Sequence, residues 1–342
     1  MPDTPLANGT LPRQAIARLI ESGAVTLAIP AAAGQLQPSS IDLRLGIEAF
    51  RIRASFLPRP GETVASKLDD LVLHKFDLKD GAVLETGCVY LVPLLESFSL
   101  PPDLAASASP KSSTGRLDVF TRVIADWVPA FDQMPAGYHG KLYAEICPQT
   151  FPILVRTGSR LTQVRFRRGP QPDARARVVD LSVDLSSATQ GLIGYRAKRH
   201  TGVIDLDQPG AYDTADFWEP IQQGKGRGRL ILDPNQFYIL ASKEAVTVPP
   251  DEAAEMVPFN PLVGEFRVHY AGFFDPGFGS TDGGARAVLE VRSHTVPFIL
   301  EHGQTIGRLV YEPMTERPDV LYGADLKSNY QGQGLKLGKH FR

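Results

Sequence analysis

Lys141-Leu142-Tyr143-Ala144-Glu145-Ile146-Cys147 alternates in twos. Leu142, Ala144 and Ile146 share one face, Tyr143 and Glu145 the other, which is the period of a β-strand. The pattern returns later in the chain. Leu289-Glu290-Val291 echoes Ala144-Glu145-Ile146, and Pro297-Phe298-Ile299-Leu300 echoes Pro152-Ile153-Leu154-Val155, both 145 positions on. Phe237-Tyr238-Ile239-Leu240 echoes Val89-Tyr90-Leu91-Val92. Thr247-Val248-Pro249-Pro250-Asp251 echoes Ser99-Leu100-Pro101-Pro102-Asp103, 148 positions on. Val203-Ile204-Asp205-Leu206 reads as a further echo, of Ser40-Ile41-Asp42-Leu43. A period of this size fits two copies of a whole β domain, not a short-repeat solenoid. The expected division is 1–185 and 186–342, with the polar, proline-containing stretch from Gly169 to Asp184 as the connection.

Composition agrees with a mainly β protein. The chain has 342 residues, 43% hydrophobic and 22% charged, enough to bury real cores. Its 28 prolines and 31 glycines punctuate short apolar runs, as tight turns between strands require. Leu11 to Ser22 is the exception, a helix with Ile16, Leu19 and Ile20 on one face. The formal net charge of −2 offers no basic surplus for nucleic acid, so an anionic ligand needs local positive charge. Two cysteines, Cys88 and Cys147, exclude a disulfide scaffold and suit a reducing cytoplasm. No apolar run reaches membrane-spanning length.

Such local charge occurs at Pro110-Lys111-Ser112-Ser113-Thr114-Gly115-Arg116. Two serines stand between a lysine and an arginine, and Leu117, Val119 and Phe120 follow as a strand. Alone, this reads as a polar turn entering a strand. Its hydroxyls, backbone N–H groups and cations also suit an anion.

Together with Pro38-Ser39-Ser40-Ile41-Asp42-Leu43-Arg44-Leu45-Gly46, the motif Ser112-Ser113-x-x-Arg116 resembles the dCTP deaminases, relatives of the trimeric dUTP pyrophosphatases. Ala271-Gly272-Phe273-Phe274-Asp275-Pro276-Gly277-Phe278-Gly279 resembles their third motif, and Leu289-Glu290-Val291 the strand of their catalytic glutamate. Gly303-Gln304-Thr305-Ile306-Gly307 resembles the closing strand. Tyr322, Tyr330 and Gln333 match positions of a C-terminal arm over the phosphates, in a tail that composition alone marks as a disordered end. The resemblance implies two tandem β-clip, dUTPase-like distorted barrels behind a short N-terminal helix. It implies homo-oligomers built on threefold or pseudo-threefold contacts, with active sites between barrels. The implied reaction is hydrolytic deamination of dCTP to dUTP and ammonia, with dTTP as an inhibitor to be tested.

The residues suit a metal-free route. A zinc deaminase needs a Pro-Cys-x-x-Cys ligand pair, and here the two cysteines are 59 positions apart. A buried glutamate serves instead as general base and then acid, because burial raises its pKa. By resemblance, Ser112 and the Ala271 carbonyl hold the water, and Arg116 orients the serine and the glutamate. Lys111 and Ser113 face the triphosphate, Asp275 the sugar 3′-hydroxyl, and Phe278 the sugar or base. Lys111 replaces an arginine usual in the family, keeping the charge but losing the bidentate fork. No cofactor is expected beyond Mg²⁺ as the triphosphate's counterion. The histidines show no ligand spacing and read as structural or solvent-exposed.

The copies are not equivalent. Pro258 to Gly264, opposite the Ser-Ser-Arg motif, holds neither serine nor arginine. Ala125 to Pro135, opposite the third motif, is longer and lacks Asp-Pro-Gly. A composite site is therefore expected, with Ser112, Ser113 and Arg116 from the first copy and Ala271, Asp275 and Glu290 from the second. The rival site lies wholly in the first copy and uses Glu145. Two other activities stay open: a dUTP pyrophosphatase or bifunctional enzyme, and a nucleotide-binding regulator without catalysis.

Overall fold

Because glycine and proline break the apolar runs so often, the backbone closes its hydrogen bonds between short strands, in a mainly β architecture. The protein is described here from a computed structural model covering residues 7–170, 176–186, 191–223, 228–258, 266–268, 272–280, 283–293, 295–323 and 334–342. The predicted N-terminal helix forms at Arg13–Glu21 and buries Ala15 and Ile16 beside Val25 and Phe98. No helix among the described residues is long and apolar enough to cross a membrane.

The first half has a sheet in the order Val72–Asp77, Glu48–Ile52, Val89–Ser99, His139–Pro148, Val119–Ala125, with Val25–Leu27 also on Val89–Ser99. The second half has the order Trp218–Gln222, Leu192–Ala197, Phe237–Val246, Ala285–Ser293, Phe266–Val268. The wiring is the same. A second sheet also recurs: Ile41–Leu43, Thr162–Arg168, Leu104–Pro110, Gln133–Met134 in one half, with Gly9–Thr10 also on Thr162–Arg168, and Val178–Ser182, Thr305–Pro313, Glu252–Pro258, Phe273–Phe274 in the other. The echoed glutamates share one register: Glu145 faces Leu91, and Glu290 faces Ile239.

Two expectations need correction. Val178–Ser182, inside the stretch read as a connection, is a strand of the second half, paired with Thr305–Pro313. Val179-Asp180-Leu181 is the true counterpart of Ile41-Asp42-Leu43. Leu181 faces Gly307 as Leu43 faces Thr162, and those partners in turn face Pro258 and Pro110. Val203 to Leu206 is no echo. Ile204–Asp205 runs parallel to Ile153–Val155 of the first half, and Arg156 grips the Asp205 carboxylate with two bonds, 2.7 and 2.8 Å. Ile204, Leu206, Phe217 and Trp218 thus share a core with Leu84, Phe151 and Ile153.

Candidate active site

Pro110 ends the strand Leu104–Pro110, and Lys111 follows in extended conformation. Ser112–Gly115 then makes one helical turn rather than an open one, because the Thr114 and Gly115 N–H groups both return to the Lys111 carbonyl. Leu161 pins this turn: its carbonyl accepts the Lys111 N–H and the Thr114 hydroxyl, each at 2.9 Å. The turn opens on a cavity of about 370 Å³, a size ordinary for a small-molecule site. Lys111, Ser112, Ser113 and Arg116 line it from the first half. Asp275, Phe278, Glu290 and Tyr322 line it from the second.

Glu290 lies on the strand Ala285–Ser293 and is 5% exposed. Its carboxylate packs against the backbone of Gly115. A Cβ there would stand 2.8 Å from Glu290 Oε2, so the absence of a side chain at 115 is what admits the carboxylate. Burial pushes the Glu290 pKa well above the ordinary carboxylate value; Arg116 opposes the shift and Asp118 adds to it. Asp118, in the left-handed region at φ 55°, accepts from Arg292 two residues along the glutamate's strand. Thr150 also donates to Asp118, at 2.5 Å. This pair ties the glutamate's strand to the serine turn across the halves.

Asp275 is fixed in the same way. Ser39 donates to its Oδ1 at 2.5 Å. Arg165, buried between the halves, stands 3.5 Å from it and donates to the carbonyls of Ala254 (2.7 Å) and Phe274 (2.8 Å). Phe278 packs edge-on against Phe274 and tilted against Tyr322. The Tyr322 N–H donates to the Pro276 carbonyl at 2.9 Å.

Glu145 is not brought to this cavity. Arg122, opposite it on the neighbouring strand, holds its carboxylate at 2.5 and 3.1 Å, and the guanidinium lies 3.5 Å over the Phe131 ring. Ala271, Tyr330 and Gln333 lie outside the described residues. The sequence reading missed Arg160, Gln163, Asp207, Lys339 and His340, which also line the cavity. His340 is buried there, its Nε2–H donating to the Leu206 carbonyl (3.1 Å), and burial pushes its pKa down to about 4. A short alternation, Leu335, Leu337 and then Phe341, was the available signal that this polar tail docks. Lys111 reaches Asp42 at 2.5 Å, where Arg160 also stands at 3.5 Å, so the lysine is positioned by an acid of the first motif.

Known proteins match both halves of the chain. Residues 7–170 match the model of the 2′-deoxycytidine 5′-triphosphate deaminase (DCD) N-terminal domain, and residues 159–341 that of its C-terminal domain. The chain belongs to the dCTP deaminase family. A solved relative, described as 2′-deoxycytidine 5′-triphosphate deaminase from Agrobacterium tumefaciens, is 55% identical, with a TM-score of 0.86 over 90% of this chain and 99% of that one. The dCTP deaminase of Natronomonas pharaonis is 29% identical over 171 residues, 49% of this chain and 82% of that protein. A dUMP-forming dCTP deaminase from Methanoculleus marisnigri is 31% identical over 155 residues, 44% of this chain and 75% of that protein. These two family members each align over about half of this chain.

Proposed function

We propose that this protein deaminates dCTP hydrolytically to dUTP and ammonia at the composite cavity, with Glu290 as general base and then acid. The observation that carries this reading is the Glu290 carboxylate. It is buried, raised in pKa, and set against the serine–arginine turn of the other half. Water held near Ser112 gives a proton to Glu290 as its oxygen bonds to C4 of cytosine. The C4–N3 π pair moves to N3, which takes up that proton. The 4-amino group then leaves as ammonia with a proton returned through Glu290, and the C4 hydroxyl loses its proton to become the carbonyl. Atoms balance as dCTP plus water giving dUTP plus ammonia. Arg116 favours the negative charge that develops beside the reacting carbon. Ser113 and Lys111 face the triphosphate, Asp275 the sugar hydroxyl, Phe278 the nucleoside, and Tyr322 starts the covering arm. Mg²⁺ enters only as the triphosphate's counterion.

The two halves are read as tandem β-clip units dividing before Val178, and oligomers as contacts between such barrels. Repetition of both sheet orders supports the tandem reading. The direct test is incubation with dCTP while ammonia, dUTP, dUMP and pyrophosphate are measured. Ammonia with dUTP is the expected result. Ammonia with dUMP and pyrophosphate would make the enzyme dUMP-forming, and no ammonia would overturn the reading.

A further inference from the structure

Residues 334–342 dock along the second half's long loop and the first half's core. Gly210 N–H donates to the Lys339 carbonyl (2.9 Å), Tyr212 N–H to that of His340 (3.1 Å), and Arg342 N–H to that of Tyr212 (3.0 Å). Phe341 sits among Phe151, Phe217 and Trp218. Ahead of these anchors, Arg116 Nη1 donates to the Lys336 carbonyl at 2.9 Å. The segment is therefore a fixed wall of the cavity, and Lys339 projects from it into the lining.

Besides Arg116, the cavity lining carries Lys111, Arg160 and Lys339. Arg116 and Asp118 are the charged groups that act on Glu290. Lys111, Arg160, Asp207 and Asp42 are those that act on Lys339. Lys111, Arg160 and Lys339 line the cavity together with Asp42 and Asp207. Asp42 is held by Lys111 and Arg160. Asp207 accepts from Ser159 at 2.8 Å and lies 3.4 Å from Arg156. Burial and the neighbouring Lys111 and Arg160 push the Lys339 pKa down. Crowding partly buried cations in this way costs free energy that an arriving polyanion offsets.

We infer that Lys339 is a further substrate-binding residue, forming with Lys111 and Arg160 the seat for the outer phosphates of the nucleotide and so setting the preference for a triphosphate. The inference rests on the dCTP reading, since Glu290 defines the nucleobase end. In this reading Lys339 binds the phosphate chain and does not touch the reacting carbon.

Lys339→Gln and Lys339→Arg test this with dCTP as substrate and inorganic tripolyphosphate and orthophosphate as competing inhibitors. Loss of one charge-assisted contact raises KM for dCTP and the tripolyphosphate inhibition constant about 10-fold or more in Lys339→Gln. Turnover stays within about 3-fold and orthophosphate inhibition is unchanged, while Lys339→Arg recovers most of the loss. Unchanged KM and unchanged tripolyphosphate inhibition, in a preparation whose wild type deaminates dCTP, overturn the inference. A second measurement needs neither variant nor turnover: tripolyphosphate should protect Lys339 of the wild-type protein from acetylation, read by mass spectrometry. No protection overturns the inference, and protection without any deamination upholds the anion seat while removing the dCTP reading.

Discussion

Glu145 and Glu290 occupy the same place in two copies of one sheet, yet their surroundings differ in kind. Glu145 meets an arginine from its own sheet, and an aromatic ring covers that arginine. Glu290 meets a glycine from the other half, across a cavity. Both are buried carboxylates on strands. Only Glu290 lines the cavity. The position on the sheet supplies a glutamate; what the facing half presents decides whether that glutamate faces a cavity.

The sharpest way to break this contrast is to remove each carboxylate. Glu290→Gln keeps the volume and removes the base, and should lower deamination by about 10³-fold or more, while Glu145→Gln leaves it within about 3-fold. Ammonia release under saturating dCTP measures both. The opposite ranking would move the site into the first half. Next in size, Ser112→Ala and Arg116→Ala should each cost about 10²–10³-fold in turnover with the melting temperature little changed. Near-normal rates would reduce the serine turn to scaffolding.

The other two tests concern stability. Arg122→Ala strands the buried Glu145 carboxylate. It should lower the unfolding free energy by about 2–3 kcal/mol, less than for a fully buried pair because Arg122 is partly exposed. Urea denaturation measures this, and an unchanged midpoint would mean the pair is not what holds Glu145. The smallest effect is a pH dependence at Glu290. Its raised pKa means that the folded state binds the proton more tightly than the unfolded state does. Stability from this group is thus fully present below the ordinary carboxylate pKa and is lost as pH rises through the raised one. Glu290→Gln should therefore melt higher than wild type at pH 8, with the gap closing at pH 4. A gap that ignores pH would show that burial does not shift this carboxylate.

The composite arrangement was legible because the losses are reciprocal. Pro258 to Gly264 cannot supply a hydroxyl–guanidinium cradle, and Ala125 to Pro135 cannot supply the Asp-Pro-Gly turn. Local pattern carries that information because each motif is local. The contacts that hold the halves together are not. Arg292 to Asp118, Arg165 to Asp275, and Lys339 beside Lys111 join residues more than a hundred positions apart, and no period or spacing encodes them. The misplaced echo at Val203 to Leu206 failed for a related reason. An apolar–Asp–apolar triplet fits many strands, and only pairing with Thr305–Pro313 identifies Val179-Asp180-Leu181 as the counterpart.

The shared aromatic cluster bears on how the chain is made. Phe151 belongs to the first half, but its ring partners are Phe217, Trp218 and Phe341. A ribosome delivers domains in order, and the earlier one commonly folds while the later is still being translated. Here the first half emerges with a greasy flank that stays bare until Phe217 and Trp218 follow, and its last ring arrives 190 residues after Phe151. Completion of the first domain is thereby deferred to the end of the second, so the nascent chain needs shielding for longer than a bead-on-a-string protein of the same length.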